Sequence, residues 1–173
     1  METAIVVSFP EASPAVDRWR EQTCGDRTSI GIPPHVTLLH PFVPAETVDE
    51  RILAQLRSMF AARPAFDVVL EEARRWPGML YLAPDPPEPF VRLTEAIVER
   101  WPDYPPYEGI HDEVIPHLTV AYGDDALLSE VEADVSAKLP IAATAHEAVL
   151  LVELVPDVRW ETRARFPLRS ERR

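Results

Sequence analysis

The stretch Pro34-His35-Val36-Thr37-Leu38 has a near copy, Pro116-His117-Leu118-Thr119-Val120, which begins 82 positions later in the chain (116 − 34). Each copy alternates polar and apolar residues without a helical period, which predicts a half-buried β-strand. In such a strand the histidine and threonine point to one face, and the apolar residues point to the other face, into a core. We therefore expect the two strands to bring two imidazoles and two hydroxyls around one small volume.

This set of side chains suits the chemistry of a phosphate. The hydroxyls of Thr37 and Thr119 can donate hydrogen bonds to nonbridging oxygens. Of the two histidines, His35 and His117, a neutral one can take a proton from a nucleophile while a protonated one gives a proton to a leaving oxygen. A single His-x-Thr would be a weak signal, but two copies in matching contexts favour catalysis over a structural role.

Length and composition indicate one globular domain. A chain of 173 residues is long enough for one well-buried core and too short to need two independent ones, and 46% hydrophobic with 27% charged residues is an ordinary soluble composition. No apolar run is long enough to span a bilayer, and Met1-Glu2-Thr3 lacks the basic segment of a signal peptide. We expect a cytoplasmic monomer with no membrane contact. The single cysteine, Cys24, excludes an intramolecular disulfide and a cysteine cluster for zinc.

The net charge of −12 argues against a protein that grips a long nucleic-acid duplex through its phosphates. A small anionic substrate or the end of an RNA remains compatible with it. The charge is uneven, because residues 159–173 hold six Arg against two Glu. We interpret this piece as a strand followed by a solvated basic tail, with a contribution to anion capture as the alternative.

Apolar spacing and turn residues predict the same order of elements twice: strand, helix, His-x-Thr strand, helix, strand. An internal duplication explains this order. The predicted strands of the first half are 4–9, 35–43 and 66–71, and its helices are 13–24 and 47–62. In the second half, the strands are 79–82, 114–122, 147–154 and 158–166, and the helices are 88–101 and 127–139.

The duplication predicts an α+β, bilobal fold. We expect two antiparallel-rich sheets with helices on their outer faces and a central cleft on a pseudo-two-fold axis. The domain would span residues 1–168, with lobes formed from the approximate halves 1–76 and 77–168, and residues 169–173 would be the basic tail.

A paired His-x-Thr, once per half of a duplicated α+β chain, resembles the two-histidine (2H) phosphoesterase superfamily. The surrounding segments resemble those of its bacterial 2′-5′ RNA ligase-like branch. These segments are Pro-Pro-His-Val-Thr-Leu-Leu-His-Pro-Phe and Ile-Pro-His-Leu-Thr-Val-Ala-Tyr. The resemblance implies metal-independent hydrolysis of 2′,3′-cyclic phosphates of nucleotides or RNA ends. It also implies that His35 and His117 are the general acid and base and that Thr37 and Thr119 anchor the phosphate. Which histidine is the base stays open.

Other residues are candidates for substrate binding. Arg74-Arg75-Trp76 precedes a predicted turn and Tyr81 follows it; Arg is a natural phosphate donor, although Arg beside Trp often packs its stem on the ring. In the irregular segment before the second motif, which also holds His111, Tyr107 could stack on a base or simply pack on prolines. From these we choose Arg75, Tyr81 and Tyr107 as substrate-binding residues.

Strict alternation places His40 and Tyr122, five residues after each motif histidine, on the face opposite the catalytic pair unless a bulge intervenes. It places Leu39 and Ala121 on the catalytic face. We therefore interpret His40 and Tyr122 as structural.

We expect no cofactor and no metal, because two histidines without a carboxylate or cysteine in the motif supply too few ligands. Two rival functions stay open. One is a binding module that recognises a nucleotide or cyclic phosphate without turning it over, and the other is 2′-5′ RNA ligation, the reverse chemistry.

Overall fold

The computed structural model describes residues 1–23, 32–109, 113–155 and 159–170. The predicted α+β class is confirmed, with eight strands and four α-helices in these ranges. The strands are β1 (Thr3–Ser8), β2 (His35–Leu39), β3 (Phe66–Trp76), β4 (Met79–Asp85), β5 (Leu118–Tyr122), β6 (Ile141–Ala145), β7 (Glu147–Val155) and β8 (Arg159–Pro167). The helices are α1 (Ser13–Thr23), α2 (Glu50–Ala61), α3 (Glu88–Arg100) and α4 (Asp125–Ser136).

The described strands form one antiparallel sheet in the order β6-β3-β4-β5-β2-β1-β7-β8. Its centre is narrow, because β2 and β5 are paired through Val36 and Leu118 alone. We call this pair the seam, the strands β2, β1, β7 and β8 the first half-sheet, and the strands β5, β4, β3 and β6 the second half-sheet. The two expected sheets are thus joined at the seam into one.

The two half-sheets exchange strands. β3 comes from the first half of the sequence but pairs with β4 in the second half-sheet, whereas β7 and β8 come from the second half and extend the first half-sheet. A division of the lobes at residue 76 is therefore wrong. The cause is local: Pro77 and Gly78 (φ 76°) form a two-residue turn that folds β3 directly onto β4.

All four helices contribute to one buried cluster on one face of the sheet, which includes Trp19, Phe60, Phe90 and Val131. Two of these helices cross the seam: α1 follows β1 but packs against β5, and α3 follows β4 but packs against β2. The seam is therefore covered from one side by both helices. The opposite face of the first half-sheet carries a smaller apolar cluster, Ala4, Val6, Ile32, Val149 and Leu151.

Some element boundaries differ from those predicted. β6 was not predicted, because Ile141-Ala142-Ala143-Thr144-Ala145 is rich in alanine, which is uncommon in strands. The described part of the predicted basic tail is not free. The amide of Arg169 donates to the Arg63 carbonyl at 2.7 Å, and its carbonyl accepts from the Ala65 amide at 2.9 Å, which ties the segment to the start of β3.

Candidate active site

The two motif histidines each lie one residue before a paired residue of the seam, Val36 in β2 and Leu118 in β5. In the antiparallel register set by Val36 and Leu118, His35 lies across from Thr119 and Thr37 lies across from His117. Val36 and Leu118 are fully buried in the core, so the motif side chains on either side of them face the other way. The structure thus brings the four side chains to one face of the sheet, which we call the cleft face.

Each histidine is held by the carbonyl two residues before it. His35 Nδ1 lies 3.0 Å from the Pro33 oxygen, and His117 Nδ1 lies 2.8 Å from the Ile115 oxygen. A carbonyl can only accept, so Nδ1 carries the hydrogen in both rings. In the neutral form Nε2 is therefore the nitrogen with a free lone pair, and in the protonated form Nε2–H is the available donor.

Both imidazoles are poised to be neutral in the free protein. Burial, with smaller contributions from the nearby Arg20 and His117, lowers the pKa of His35 from 6.5 to about 4, against the opposing effect of its bond to Pro33. Burial also lowers the pKa of His117, again against the effect of its carbonyl bond. Each Nε2 can thus accept a proton at neutral pH.

A β-bulge follows the histidine by three residues in both motif strands, at Leu38 and at Val120. The offset between the bulges is 82 residues (120 − 38), the same as between the motifs, so the irregularity is part of the duplicated unit. The pairs on either side are Val6–Thr37 and Ile5–Leu39 in β2, and Tyr81–Thr119 and Leu80–Ala121 in β5.

The bulges reverse the alternation after each motif. Leu39 and Ala121, expected on the catalytic face, are buried in the core instead. His40 turns to the cleft face, where its ring lies 5.7 Å from that of Trp160 and its Nε2 lies 3.0 Å from Glu2 Oε2. The bulge at Leu38 thus moves His40 off the face that strict alternation predicts.

Tyr122 moves in the same way. It pairs with Met79, whose sulfur accepts a weak bond from the Thr119 hydroxyl at 3.9 Å, so its side chain also belongs to the cleft face. Its backbone amide donates to the Thr23 hydroxyl at 3.2 Å, which fixes the end of α1 to β5.

Two aromatic rings pack against His117. The ring centroids of Trp76 and Tyr81 lie 4.9 and 5.8 Å from that of His117, both edge to face, and 4.4 Å from each other. Tyr81, predicted as a substrate contact, thus lies beside a motif histidine. Trp76 was not chosen, although the two-residue turn that places it opposite Met79 also puts it on the same face as Tyr81.

Arg75 does not lie on the cleft face. It pairs with the core residue Leu80, and its guanidinium donates to Ser129 Oγ at 3.1 Å and bonds to Glu132, both on α4. The placement of Arg75 at the substrate is therefore wrong, since alternation along β3 turns it to the helices. Its neighbour Arg74 faces the cleft.

A cavity of about 1200 Å³ adjoins the second motif, bounded by Tyr81, Arg74, Ile115 and Pro116. Arg74 donates to Glu72 Oε2 from Nε at 3.0 Å and from Nη2 at 2.9 Å, so its charge is already paired. Among its described lining residues, six carboxylates face two arginines, a net charge of −4. These residues are Glu71, Glu72, Asp85, Glu88, Glu95 and Glu113, with Arg74 and Arg92.

The Tyr107 side chain and the whole of His111 and Cys24 lie outside the described residues, so Tyr107 remains a prediction. Within the described ranges, His, Cys, Asp and Glu side chains nowhere form a group of three or more that could hold a metal ion. None of the helices in those ranges combines the length and hydrophobicity that a membrane crossing requires.

Comparison with known proteins agrees with this geometry. The family model described as the 2′-5′ RNA ligase superfamily matches residues 8–156. Similar solved structures include E. coli LigT complexed with 3′-AMP (17% identity, TM-score 0.67, 96% of this chain and 97% of that chain). TT0787 of Thermus thermophilus is also similar (20% identity, TM-score 0.65, 99% of this chain and 100% of that chain), as is the crystal structure of a phosphoesterase (18% identity, TM-score 0.63, 97% and 98%).

No curated protein matches the sequence. At these identities the structural likeness shows a shared fold, and the fold here is the curled antiparallel sheet with its helices on one face. The family match covers most of the chain and includes both His-x-Thr motifs. This chain therefore belongs to the 2′-5′ RNA ligase superfamily, the 2H phosphoesterases.

Proposed function

We propose that this protein is a metal-independent phosphodiesterase that hydrolyses a 2′,3′-cyclic phosphate of a nucleotide or RNA end. The observation that carries the proposal is the pair of imidazoles on the cleft face, each anchored through Nδ1 to a carbonyl and each beside a threonine of the other strand. Binding alone would not need two proton-transfer groups. Family membership supports a phosphoesterase, and the cyclic substrate is our inference.

In the proposed reaction a water attacks the cyclic phosphorus while Nε2 of one histidine takes its proton. The phosphorus forms a bond to the water oxygen, and its bond to one ribose oxygen breaks. Nε2–H of the other histidine protonates that ribose oxygen, so the product is a phosphomonoester. The hydroxyls of Thr37 and Thr119 and the imidazolium would stabilise the charge on the nonbridging oxygens.

The free protein holds both histidines neutral, so the acid must gain its proton with the substrate. A bound phosphate carries a negative charge, and a negative charge close to an imidazole favours its protonated form. Substrate binding and protonation of the acid are therefore coupled. We expect binding of the anion to weaken as the pH rises through the lowered pKa values of the free histidines, so that the weakening begins below pH 6.5.

The charge of the cleft favours a small substrate. A cavity with a net charge of −4 beside His117 repels additional phosphates, which weighs against ligation of two RNA ends. The solved structures of LigT with 3′-AMP, with NADP+ and with phosphate show that this relative takes small phosphate compounds. A monomeric protein in the cytoplasm is part of the same proposal.

The test is hydrolysis of a panel of nucleoside 2′,3′-cyclic phosphates in the presence of EDTA. We expect turnover that the chelator leaves unchanged. His35→Ala and His117→Ala should each lower kcat by roughly 10²- to 10⁴-fold, the usual contribution of a general acid or base. His146→Ala is the matched control, because His146 is exposed and lies between β6 and β7, outside the two seam strands.

Saturable binding of these compounds without turnover would move the protein to the binding-module alternative. Joining of RNA ends without hydrolysis would establish the ligase instead. Activity that EDTA abolishes would contradict the two-histidine mechanism.

A further inference from the structure

Arg20, in the last turn of α1, is a largely enclosed cation outside the two motifs. Its side chain is 12% exposed. Its Nη2 donates to the Ile32 carbonyl at 3.2 Å, and its Nη1 donates to Asp17 Oδ1 at 3.3 Å on the same helix. A guanidinium withdrawn from water in this way must keep its partners, so its position is well determined.

The contact to Ile32 reaches the segment that carries His35. Pro33 and Pro34 have no backbone N–H, so this segment is anchored through its carbonyls. The Ile32 carbonyl accepts from Arg20 at 3.2 Å. The next carbonyl, that of Pro33, holds His35 Nδ1 at 3.0 Å, and the Pro34 carbonyl accepts from the Phe9 amide at 2.6 Å. Arg20 therefore helps to fix the start of the segment against which the His35 ring is oriented.

The charge of Arg20 also acts on His35. Burial is the main cause that lowers the pKa of His35. Two nearby groups lower it as well, and the effect of Arg20 is larger than that of His117. For His117 itself, burial lowers the pKa and the Ile115 bond opposes it. Arg20 thus makes the two halves of the duplicated site unequal at the level of their histidines.

We infer that Arg20 is a positioning residue for His35, acting on it through the Ile32–Pro34 segment and through its positive charge. Its effect on catalysis rests on the proposed function, whereas its effect on the His35 ring does not. Arg20 supports the Nδ1–H form of the ring by fixing the segment that carries the Pro33 carbonyl, and its charge adds to burial in keeping the ring neutral in the free protein.

The experiment follows the His35 ring by NMR titration of its side-chain nitrogens and, in parallel, measures kcat and KM with a nucleoside 2′,3′-cyclic phosphate. The variants are Arg20→Gln, which removes the charge, and Arg20→Lys, which keeps it. Arg18→Gln is the matched control, since Arg18 lies two residues away on the same helix but is exposed and packs over Trp19.

We expect Arg20→Gln to raise the pKa of His35 toward 6.5 and to lower kcat by roughly 10- to 100-fold, the usual cost of a misplaced catalytic group. KM should change by less than threefold, because the lost interaction acts in the transition state and not in substrate binding. Arg20→Lys should keep the low pKa of His35 and recover part of kcat. Arg18→Gln should match the wild type in both measurements.

A purely structural role would lower the melting temperature in Arg20→Gln and leave the pKa of His35 where it is in the folded protein. That result overturns the inference. If the wild type turns over no cyclic phosphate, the proposed function fails, but the titration still tests the inference. An unchanged His35 pKa in Arg20→Gln contradicts it whether or not the protein is active.

Discussion

The two half-sheets carry the same chemical groups at the seam, but the side chains that line the cleft beside the seam differ. We call these side chains the walls of the cleft. Near His35 the first half-sheet offers the apolar cluster of Ala4, Val6, Ile32, Val149 and Leu151, with Trp160 packed against it. Near His117 the second half-sheet offers Trp76, Tyr81 and Arg74. The histidines, threonines, carbonyl anchors and bulges are repeated, whereas the walls are not. Duplication has kept the proton-transfer groups symmetrical and has left the surfaces that would choose a substrate free to diverge.

Apart from the two histidines, the largest effects should come from the equivalent wall positions Trp76, opposite Met79, and Leu151, opposite Ala4. Leu151→Ala should lower the free energy of unfolding by about 2–4 kcal/mol, because Leu151 is buried, and should leave kcat/KM within threefold. Trp76→Ala should lower kcat/KM by about 10- to 100-fold through loss of a stacking surface beside His117. Urea unfolding and steady-state kinetics separate the two. Equal kinetic losses in both variants would show that the walls do not differ in function.

His35 should make stability depend on pH. Its folded pKa of about 4 lies below 6.5, so the unfolded chain binds a proton that the folded chain refuses. The stability held above pH 6.5 is lost as the pH falls from 6.5 to 4, by at most about 3 kcal/mol. His35→Asn should flatten this dependence in thermal unfolding at several pH values. An identical slope in His35→Asn would refute the burial of a neutral ring, and His146→Asn serves as control.

The threonines test the symmetrical part of the site. Thr37→Val and Thr119→Val should each lower kcat/KM by about tenfold, the value of one hydrogen bond to a charged oxygen. Thr37→Ser and Thr119→Ser keep the hydroxyl and should stay near the wild type. A loss in one valine variant alone would mean that only one strand holds the phosphate.

The smallest effects should distinguish the neighbours Arg74 and Arg75. Arg75→Gln should cost about 0.5–1 kcal/mol of stability by releasing Ser129 and Glu132, with unchanged kinetics. Arg74→Gln should change KM by about two- to threefold, because its charge faces the cleft but is already paired with Glu72. A kinetic effect of Arg75→Gln would contradict the placement of its side chain on the helix face.

The sequence predicts the central part of this architecture well and its irregularities poorly. Alternation along the two motifs is sufficient to place His35, Thr37, His117 and Thr119 on one face, because polar and apolar side chains separate across a strand. The bulges cannot be predicted from the sequence, because Leu38 and Val120 are ordinary strand residues. An extra residue in one strand is defined only by its pairing with the neighbouring strand.

The exchange of strands between the two half-sheets could not be predicted for a related reason. Repeats in a sequence suggest lobes made of consecutive halves. In this chain, however, the two-residue turn at Pro77-Gly78 pairs β3 with β4, the next strand along the chain. The same turn explains why Trp76, rather than Arg75, approaches His117. Pairing partners, and not local patterns, decide these positions.

The most direct test of the two-histidine account is the pH dependence of kcat/KM for a nucleoside 2′,3′-cyclic phosphate, measured in EDTA. Catalysis requires one histidine neutral and the other protonated, and burial lowers the pKa of both. We expect a bell-shaped profile with its maximum below pH 6.5, and loss of one limb in whatever activity His35→Ala or His117→Ala retains. A flat profile, or a maximum on the alkaline side of pH 7, would contradict the proposed mechanism.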